Sequence, residues 1–209
     1  MPEDPQKQDN RTELLREIKD EIIEGKNLPL YGERIKNGVY PVIGEGSHYA
    51  KIMFVGEAPG KNEAEQGRPF CGASGRILDE LLIATGIQRQ DVYITNIVKD
   101  RPPMNRDPLP NEIEAYAQFL DRQIEIIQPQ VIVTLGRFSM AYIMNRLGLG
   151  SKLESISKMH GRMFEVKTTH GIVKIIPLYH PAVVVYNGNM KEALKKDFEI
   201  LKTITADYK

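Results

Sequence analysis

The sequence predicts an α/β protein with a central, mostly parallel β-sheet covered by helices on both faces. Short apolar runs, such as residues 52–55, alternate along the chain with segments of helical periodicity, as expected of βαβ units. The chain has 209 residues, of which 41% are hydrophobic, enough to bury the core of one domain. No internal repeat and no long linker interrupts this pattern.

The N-terminal part of the chain is expected to contain a tail and one helix. Residues 1–10 are polar and contain nothing apolar to bury, so we expect a disordered tail there and a single domain over residues 11–209. Apolar residues then recur at helical spacing from Leu14 onward, with Thr12 as the expected N-cap and Gly25 as the expected end.

The remaining elements are predicted from apolar runs, from helical periodicity and from the glycines and prolines between them. In chain order they are a strand at 51–56, a helix at 73–85, a strand at 91–98, a helix at 111–127, a strand at 131–136, a helix at 137–147, a hairpin of 163–169 with 172–178, and a helix at about 189–204. A proline-rich loop, RPPMNRDPLPNE, connects the second strand to the next helix.

Composition and charge exclude several classes of protein. Lys+Arg and Asp+Glu number 28 each, so the net charge neither favours nor excludes an anionic partner. Cys71 is the single cysteine, which excludes an internal disulfide, a cysteine-rich zinc site and a cluster held by four thiolates. The sequence contains neither a secretory signal nor an apolar run long enough for a membrane span, so we expect no membrane partner and, by default, a cytoplasmic location.

Polar residues stand at the ends of three predicted strands. Glu57 follows the first strand, Asn96 lies near the end of the second, and His180 follows the fourth. Because the carboxyl ends of parallel strands lie on one edge of a sheet, we expect these three side chains to converge there, close to Phe70. An asparagine amide matches the imide edge of a flat heterocycle, a phenylalanine face stacks on its ring, and a histidine can donate to a carbonyl oxygen that gains negative charge.

Each of these residues also has an ordinary structural interpretation when it is taken alone. Asn96 could cap a turn, His180 could be a hydrogen-bonded structural histidine, and Phe70 could be a core aromatic. Glu57 could be a solvated loop acid, and Cys71 a small buried hydrophobe. We favour a functional site because the pattern places four such residues at the same edge of the sheet, which packing alone does not explain.

Longer motifs around these positions resemble a known family. They are GEAPGKNEAEQGRPFCGASG at 56–75, YITNIVKDRPPMNRDPLPNEIEA at 93–115, VIVTLGRFS at 131–139 and YHPAVVVYN at 179–187. In this order they resemble the uracil-DNA glycosylase superfamily, and most closely its family 4, the iron–sulfur type of bacteria and archaea. The resemblance implies a three-layer α/β/α sandwich with a central four-stranded, mostly parallel sheet, and a monomeric enzyme that acts on uracil-containing DNA.

The resemblance also implies roles for individual residues. The first catalytic loop would contain Glu57, Ala58 and Gly60. Phe70 would stack on a uracil flipped out of the DNA, and Asn96 would read the Watson–Crick edge of that base. His180 would contact the carbonyl oxygen that becomes negative as the N-glycosidic bond breaks and an abasic site is left.

Contacts with DNA follow from the same resemblance. The place of the apolar wedge, which fills the gap left by an extruded nucleotide, is occupied by Val183, Val184 and Val185. Among the basic and polar residues near the strand ends we favour Ser74 and Arg101 as phosphate contacts, with Lys61 as a further candidate. The backbone amides of residues 72–75, at a helix N-terminus, are expected to meet a phosphate as well.

The sequence departs from family 4 at the positions of its iron–sulfur cluster. The four cluster cysteines of that family would fall at Gly25, Leu28, Asp100 and Tyr116, and none of these is cysteine. We therefore expect no cluster, no other metal and no cofactor, and we expect ordinary packing, through residues such as Leu28 and Tyr116, to hold these segments together.

Hydrolysis of the N-glycosidic bond requires stabilisation of the uracil anion and a positioned water. The first role is assigned to His180 together with Asn96. In some other families an Asp or Asn positions the water, but Ala58 occupies that place here, which leaves Glu57 and Glu63 as the candidates.

Three other functions remain open from the sequence. The enzyme could prefer another deaminated base such as hypoxanthine or xanthine, because substitutions in the loop at 57–64 would alter base choice. The chain could also be a catalytically inactive homologue that binds DNA or nucleotides. A flavodoxin-like small-molecule binder would fit the sheet pattern, but would leave the combination of Phe70, Asn96 and His180 unexplained.

Overall fold

The computed structural model describes residues 9–206, with side chains described as far as Ile204. The strands are β1 (Glu45–Gly46), β2 (Ile52–Gly56), β3 (Tyr93–Asn96), β4 (Val131–Leu135), β5 (Phe164–Thr168) and β6 (Gly171–Leu178). The helices are α1 (Arg11–Glu24), α2 (Tyr31–Asn37), α3 (Lys61–Gln66), α4 (Ala73–Ala84), α5 (Pro110–Ile127), α6 (Arg137–Arg146), α7 (Ile156–Met159), α8 (Ala182–Tyr186) and α9 (Met190–Ala206).

The six strands form one mixed sheet in the order β1-β3-β2-β4-β6-β5. The four inner strands are mutually parallel, and the edge strands β1 and β5 pair antiparallel with their neighbours. The predicted α/β class and parallel centre are confirmed, but the sheet has six strands instead of four. One added strand, β1, has only two residues, too few for an alternating pattern to be visible in the sequence.

Helices cover both faces of the sheet and give the predicted three layers. Strand side chains alternate between the faces: Met53 and Val55 belong to one core cluster, whereas Ile52 and Phe54 belong to the other. The first cluster is completed by apolar residues of α1, α5 and α6, and the second by those of α4 and α9. Strands β2, β3 and β4 are buried along their whole length, which explains their continuous apolar runs.

Several short helices and one helix start differ from the sequence predictions. Helix α3 is too short and too polar to show an apolar period, and α8 contains three consecutive valines, which favour strands by propensity. Helix α1 begins at Arg11, so Thr12 lies inside its first turn. The Thr12 hydroxyl is hydrogen-bonded to Nδ1 of His48 at 2.9 Å instead of capping the helix.

The predicted tail lies almost entirely outside the described residues, and the single domain over residues 11–209 stays a prediction. Between residues 9 and 206, no helix combines the length and apolar character that crossing a membrane requires.

Candidate active site

A cleft of about 410 Å³ lies at the carboxyl ends of the parallel strands. It is bordered by the segment after β2, the end of β3, the loop between β3 and α5, and the segment from β6 into α8. The predicted site residues that border it are Glu57, Ala58, Gly60, Glu63, Phe70, Ser74, Asn96, His180 and Val183. The aromatic ring, the amide and the imidazole that were expected to converge therefore surround the same cavity.

Asn96 forms part of the cleft with an unsatisfied amide oxygen. It pairs with Gly56 at the ends of neighbouring strands and is only 2% exposed. Among the described residues, none provides a hydrogen-bond partner for its Oδ1. A Cβ atom at Gly56 would lie 2.3 Å from this Oδ1, so only glycine leaves room for it. A buried acceptor without a donor is unfavourable by about 1–3 kcal/mol, and a ligand N–H would remove that cost.

Lys99 supports the end of β3 from inside the protein. Its Nζ is fully buried and donates to the backbone oxygen of Asn96 at 2.7 Å, and also to Thr95 Oγ1 and Gln123 Oε1 at 2.8 Å and 2.7 Å. Burial lowers the pKa of Lys99 well below its usual value. No sequence signal pointed to this residue, because a lysine in a polar segment predicts exposure to solvent.

Phe70 lies in the cleft wall and has an uncommon backbone conformation. Its φ is 48°, in the left-handed region that residues other than glycine rarely adopt. Its carbonyl oxygen would lie 1.9 Å from a Cβ at Gly75, so α4 can pass this close only with glycine there. The Phe70 ring stacks against His180 with the centroids 5.4 Å apart and an interplanar angle of 29°.

The protonation state of His180 follows from its surroundings. The backbone N–H of Ala182 donates to His180 Nδ1 at 3.1 Å, so the neutral ring carries its proton on Nε2. Burial lowers the pKa of His180 to about 4, against the opposing effect of the Glu63 carboxylate. At neutral pH the residue is therefore an uncharged hydrogen-bond donor that borders the cleft.

The Glu63 carboxylate stabilises the loop that carries Phe70. Its Oε1 accepts hydrogen bonds from the backbone N–H groups of Cys71 and Gly72, at 3.0 Å and 2.7 Å. Gly72 is the N-cap residue of α4, so Glu63 satisfies amides at that helix terminus. The amide of Gly72 is thus occupied, contrary to the expectation that the whole stretch 72–75 would be free for a phosphate.

Glu57 has the environment of a carboxyl group that titrates near neutrality. Burial raises its pKa to about 7, the negative charge of Asp107 adds to this, and Arg137 opposes it. Arg137 forms an ion pair with Asp107. The three side chains thus form a charged cluster at one side of the cleft, in which Asp107 and Glu57 both border the cavity.

The residues predicted to contact phosphates lie in different surroundings. Ser74 borders the cleft. Lys61 is exposed and lies 3.8 Å from Glu65 on the same helix. Arg101 lies outside the lining of the cleft, and its Nε donates to Oδ1 of Asn105, which does line the cleft, at 2.6 Å.

The three wedge valines point in different directions because α8 is helical. Val183 borders the cleft, whereas Val185 is 50% exposed. Val184 is only 9% exposed and packs in the core cluster that includes α4 and α9. Successive residues of a helix are rotated by about 100°, so three adjacent valines cannot share a face. Val184 therefore lies in the core while Val183 and Val185 do not, and the assignment of the wedge stays a prediction.

The loop between β3 and α5 also contributes to the cleft, which the sequence pattern did not predict. This loop adds Pro102, Asn105, Arg106 and Asp107 to the lining. Arg106 is held by two hydrogen bonds to Glu112, at 2.9 Å and 2.6 Å. The signal was present as four prolines between a strand end and a helix, since loops that follow strand ends in α/β folds commonly carry binding residues.

Comparison with known proteins agrees with the geometry. A profile of the uracil DNA glycosylase superfamily matches residues 43–202. The chain belongs to this superfamily. The resemblance inferred from the motifs is confirmed, and it assigns the chain to a family of DNA glycosylases, which are hydrolases of N-glycosyl bonds.

Individual members of the superfamily are similar over most of the chain. A type-4 uracil-DNA glycosylase of Sulfurisphaera tokodaii is 44% identical over 91% of this chain and 84% of the relative. A type-4 uracil-DNA glycosylase of Archaeoglobus fulgidus is 43% identical, with coverage of 90% and 91%. A third, from Thermotoga maritima, is 39% identical, with coverage of 92% and 95%.

The residues at the four positions that the resemblance assigns to an iron–sulfur cluster make other contacts here. Asp100 is buried, with its Oδ2 accepting from the Tyr116 hydroxyl at 2.6 Å and from Arg34 Nη1 at 3.2 Å. A Cβ at Gly25 would lie 2.8 Å from Leu28 Cδ1. A hydrogen-bonded ionic network and apolar packing thus fill the place where four thiolates would be needed. The absence of a cluster stays a prediction.

Proposed function

We propose that this protein removes uracil from DNA by flipping the nucleotide into the cleft and hydrolysing its N-glycosidic bond. The observation that carries the proposal is the partnerless Oδ1 of Asn96, buried beside a cleft that Phe70 and His180 also border. These groups supply an acceptor, an aromatic face and a neutral donor. A single flat heterocycle with an imide edge satisfies all three.

Recognition of uracil is assigned to Asn96. The amide oxygen would accept from uracil N3–H, and the amide nitrogen would donate to a uracil carbonyl. Cytosine presents the reversed pattern at this edge, which would leave the buried oxygen facing a lone pair. Such a mismatch costs about 1–3 kcal/mol for each unpaired buried group. Phe70 would contact the face of the ring, in an orientation imposed by its left-handed backbone and by Gly75.

Stabilisation of the leaving group is assigned to His180. Bond cleavage places negative charge on a uracil carbonyl oxygen, and the Nε2–H of the neutral imidazole would donate to it. One such donor typically contributes on the order of 10²–10³ in rate. The hydrogen bond from Ala182 holds the ring in the required tautomer, so no proton has to move before the donor is available.

Activation of water is assigned to Glu57. Both acids border the cleft, but Glu63 already accepts two backbone hydrogen bonds, whereas Glu57 has a pKa of about 7. A base with that pKa is partly ionised at neutral pH and is suited to accept a proton from the attacking water.

Contact with DNA is assigned to the rim of the cleft. Val183 and Val185 would occupy the space left by the flipped nucleotide, with Tyr186 next to them on α8. Ser74, Arg101 and Lys61 would contact phosphates. Uracil-containing DNA is the expected partner, no cofactor takes part, and the enzyme acts as a monomer.

The test is an excision assay on oligonucleotides that carry one lesion. Uracil, hypoxanthine and xanthine are placed in the same sequence, and abasic sites are revealed by alkaline cleavage. We expect cleavage at uracil and at least about tenfold less at the other lesions. Cleavage mainly at another base would select that base as the substrate, and tight binding without release would identify an inactive homologue.

A further inference from the structure

Met104 is an exposed apolar residue at the tip of the loop between β3 and α5. It is 92% exposed. Met104 and Asn105 have φ values of 53° and 56°, so two consecutive residues other than glycine adopt the left-handed conformation. This conformation is unfavourable for methionine, and such strain persists only where the surrounding structure imposes it.

Neighbouring side chains impose this left-handed conformation at the tip of the loop. Arg101 holds Asn105 by a hydrogen bond of 2.6 Å on one side of the tip. On the other side Arg106 is paired with Glu112, and Asp107 with Arg137. These contacts fix the backbone on both sides of Met104, and the loop therefore exposes its side chain to solvent. Burial of an apolar side chain would be more favourable than this exposure.

The position of Met104 relates it to the proposed substrate. Its neighbours Pro102, Asn105 and Arg106 line the cleft. Tyr186 of α8 lines it as well, and Val185 precedes Tyr186 in the chain. Val185 and Tyr186 are 50% and 89% exposed. Two separate segments at the rim of the cleft thus carry exposed apolar side chains, with arginines at 101 and 106 flanking one of them.

We propose that Met104 is a second apolar wedge, which enters duplex DNA beside the extruded nucleotide and acts together with the wedge on α8. This inference rests on the proposed function, because it supposes that the cleft receives a flipped base. Methionine is among the side chains that insert between base steps, and insertion separates stacked bases in return for a bent duplex that contacts more protein. The benefit is specific to a duplex, because a single strand has no paired stack to open.

The experiment compares single-turnover release of uracil from one oligonucleotide, either single-stranded or annealed to its complement. The variants are Met104→Ala, Met104→Leu and Ile172→Ala. Ile172 is 62% exposed and lies near the start of β6, at the opposite end of that strand from the cleft. We expect Met104→Ala to lower the ratio of duplex to single-strand rate by about tenfold. Met104→Leu and Ile172→Ala are expected to keep the ratio within about twofold of the wild type.

An unchanged ratio in Met104→Ala overturns the inference, and so does an equal fall in Ile172→Ala. If the wild-type enzyme is active, either of these results leaves the proposed function unaffected. A wild-type protein that releases no uracil from either substrate contradicts the proposed function, and this inference with it.

Discussion

Nδ1 of His180 accepts a hydrogen bond of 3.1 Å from the backbone N–H of Ala182, the first residue of α8. This contact connects His180, which is proposed to stabilise the leaving uracil, with α8, the helix proposed to enter the DNA. Because the bond occupies Nδ1, the proton of the neutral ring lies on Nε2. In the proposed function, insertion of α8 into DNA and orientation of the imidazole would therefore be coupled through this one backbone amide.

Replacement of His180 tests the role of its Nε2–H. We expect His180→Ala to lower single-turnover uracil release by about a hundredfold or more, because the anion loses a preorganised donor. The pKa of His180 is about 4, so the donor form persists as the pH falls from 7 to 5. His180→Gln, which keeps a side-chain N–H, is expected to retain more activity. Equal rates for His180→Ala and the wild type, with both proteins folded, would contradict the assignment.

The pH dependence of excision tests Glu57. A base with a pKa of about 7 is ionised above that value and protonated below it, so the rate is expected to rise between about pH 6 and pH 8. Asp107→Asn removes a negative charge that raises the pKa of Glu57, and it should move the rise to lower pH. Arg137→Gln removes the opposing positive charge, and it should move the rise to higher pH.

The variant Glu57→Gln is the control for this titration. It should lower the rate and abolish the rise, since no carboxyl group remains to titrate. A rise that persists unchanged in Glu57→Gln would assign the titration to another group.

A single methyl group at Gly56 should block the base pocket. Its Cβ would lie 2.3 Å from Asn96 Oδ1 and 2.8 Å from Phe70 Cζ, so the side chains that contact the base must move. We expect Gly56→Ala to lower excision by about a hundredfold or more. Gly32→Ala is the matched control, because a Cβ there meets nothing within 4 Å. A Gly56→Ala enzyme as active as the Gly32→Ala enzyme would show that the pocket lies elsewhere.

The network around Asp100 should contribute strongly to stability. Arg34 binds Asp100 and also donates to the backbone oxygens of Ile22 and Ile23, at 3.0 Å and 2.9 Å. Asp100→Ala leaves this buried guanidinium without a counter-charge, and we expect a loss of about 3–5 kcal/mol in the free energy of unfolding, measured in urea. Tyr116→Phe removes one hydrogen bond and should cost about 1–3 kcal/mol.

The exposed pair of Glu154 with Lys158 provides the comparison for Asp100. Its members are 46% and 69% exposed, so Glu154→Ala should change the free energy of unfolding by about 1 kcal/mol or less. A similar small effect in Asp100→Ala would show that the network does not hold these segments together.

The predicted absence of an iron–sulfur cluster is tested on the purified protein. We expect a colourless preparation without stoichiometric iron, whose excision rate is insensitive to iron chelators. Visible absorption that disappears together with the iron would contradict this prediction.

Much of the fold was predictable because its signals are local. Strands β2, β3 and β4 are buried on both faces and read as apolar runs, and α4, α5 and α9 have long amphipathic patterns. Helix α8 was not predicted, since its three valines favour strands by propensity; in the helix, Val184 packs into the core. Which of the three valines lie at the cleft or face solvent could not be chosen before that helix was known.

By itself, the sequence determined the α/β class, the superfamily and the three residues that border the cleft at 70, 96 and 180. It did so because strand ends in a parallel sheet are adjacent wherever the strands themselves can be recognised. Only the tertiary structure decided that Glu63 accepts backbone hydrogen bonds from the loop after Phe70. It likewise decided that burial raises the pKa of Glu57, that Lys99 lies buried beside the backbone of Asn96, and that Asp100 is bound to Arg34. Arg34 and Asp100 are 66 residues apart, and even the shorter-range contacts depend on which groups the folded chain buries together, so no local pattern records them.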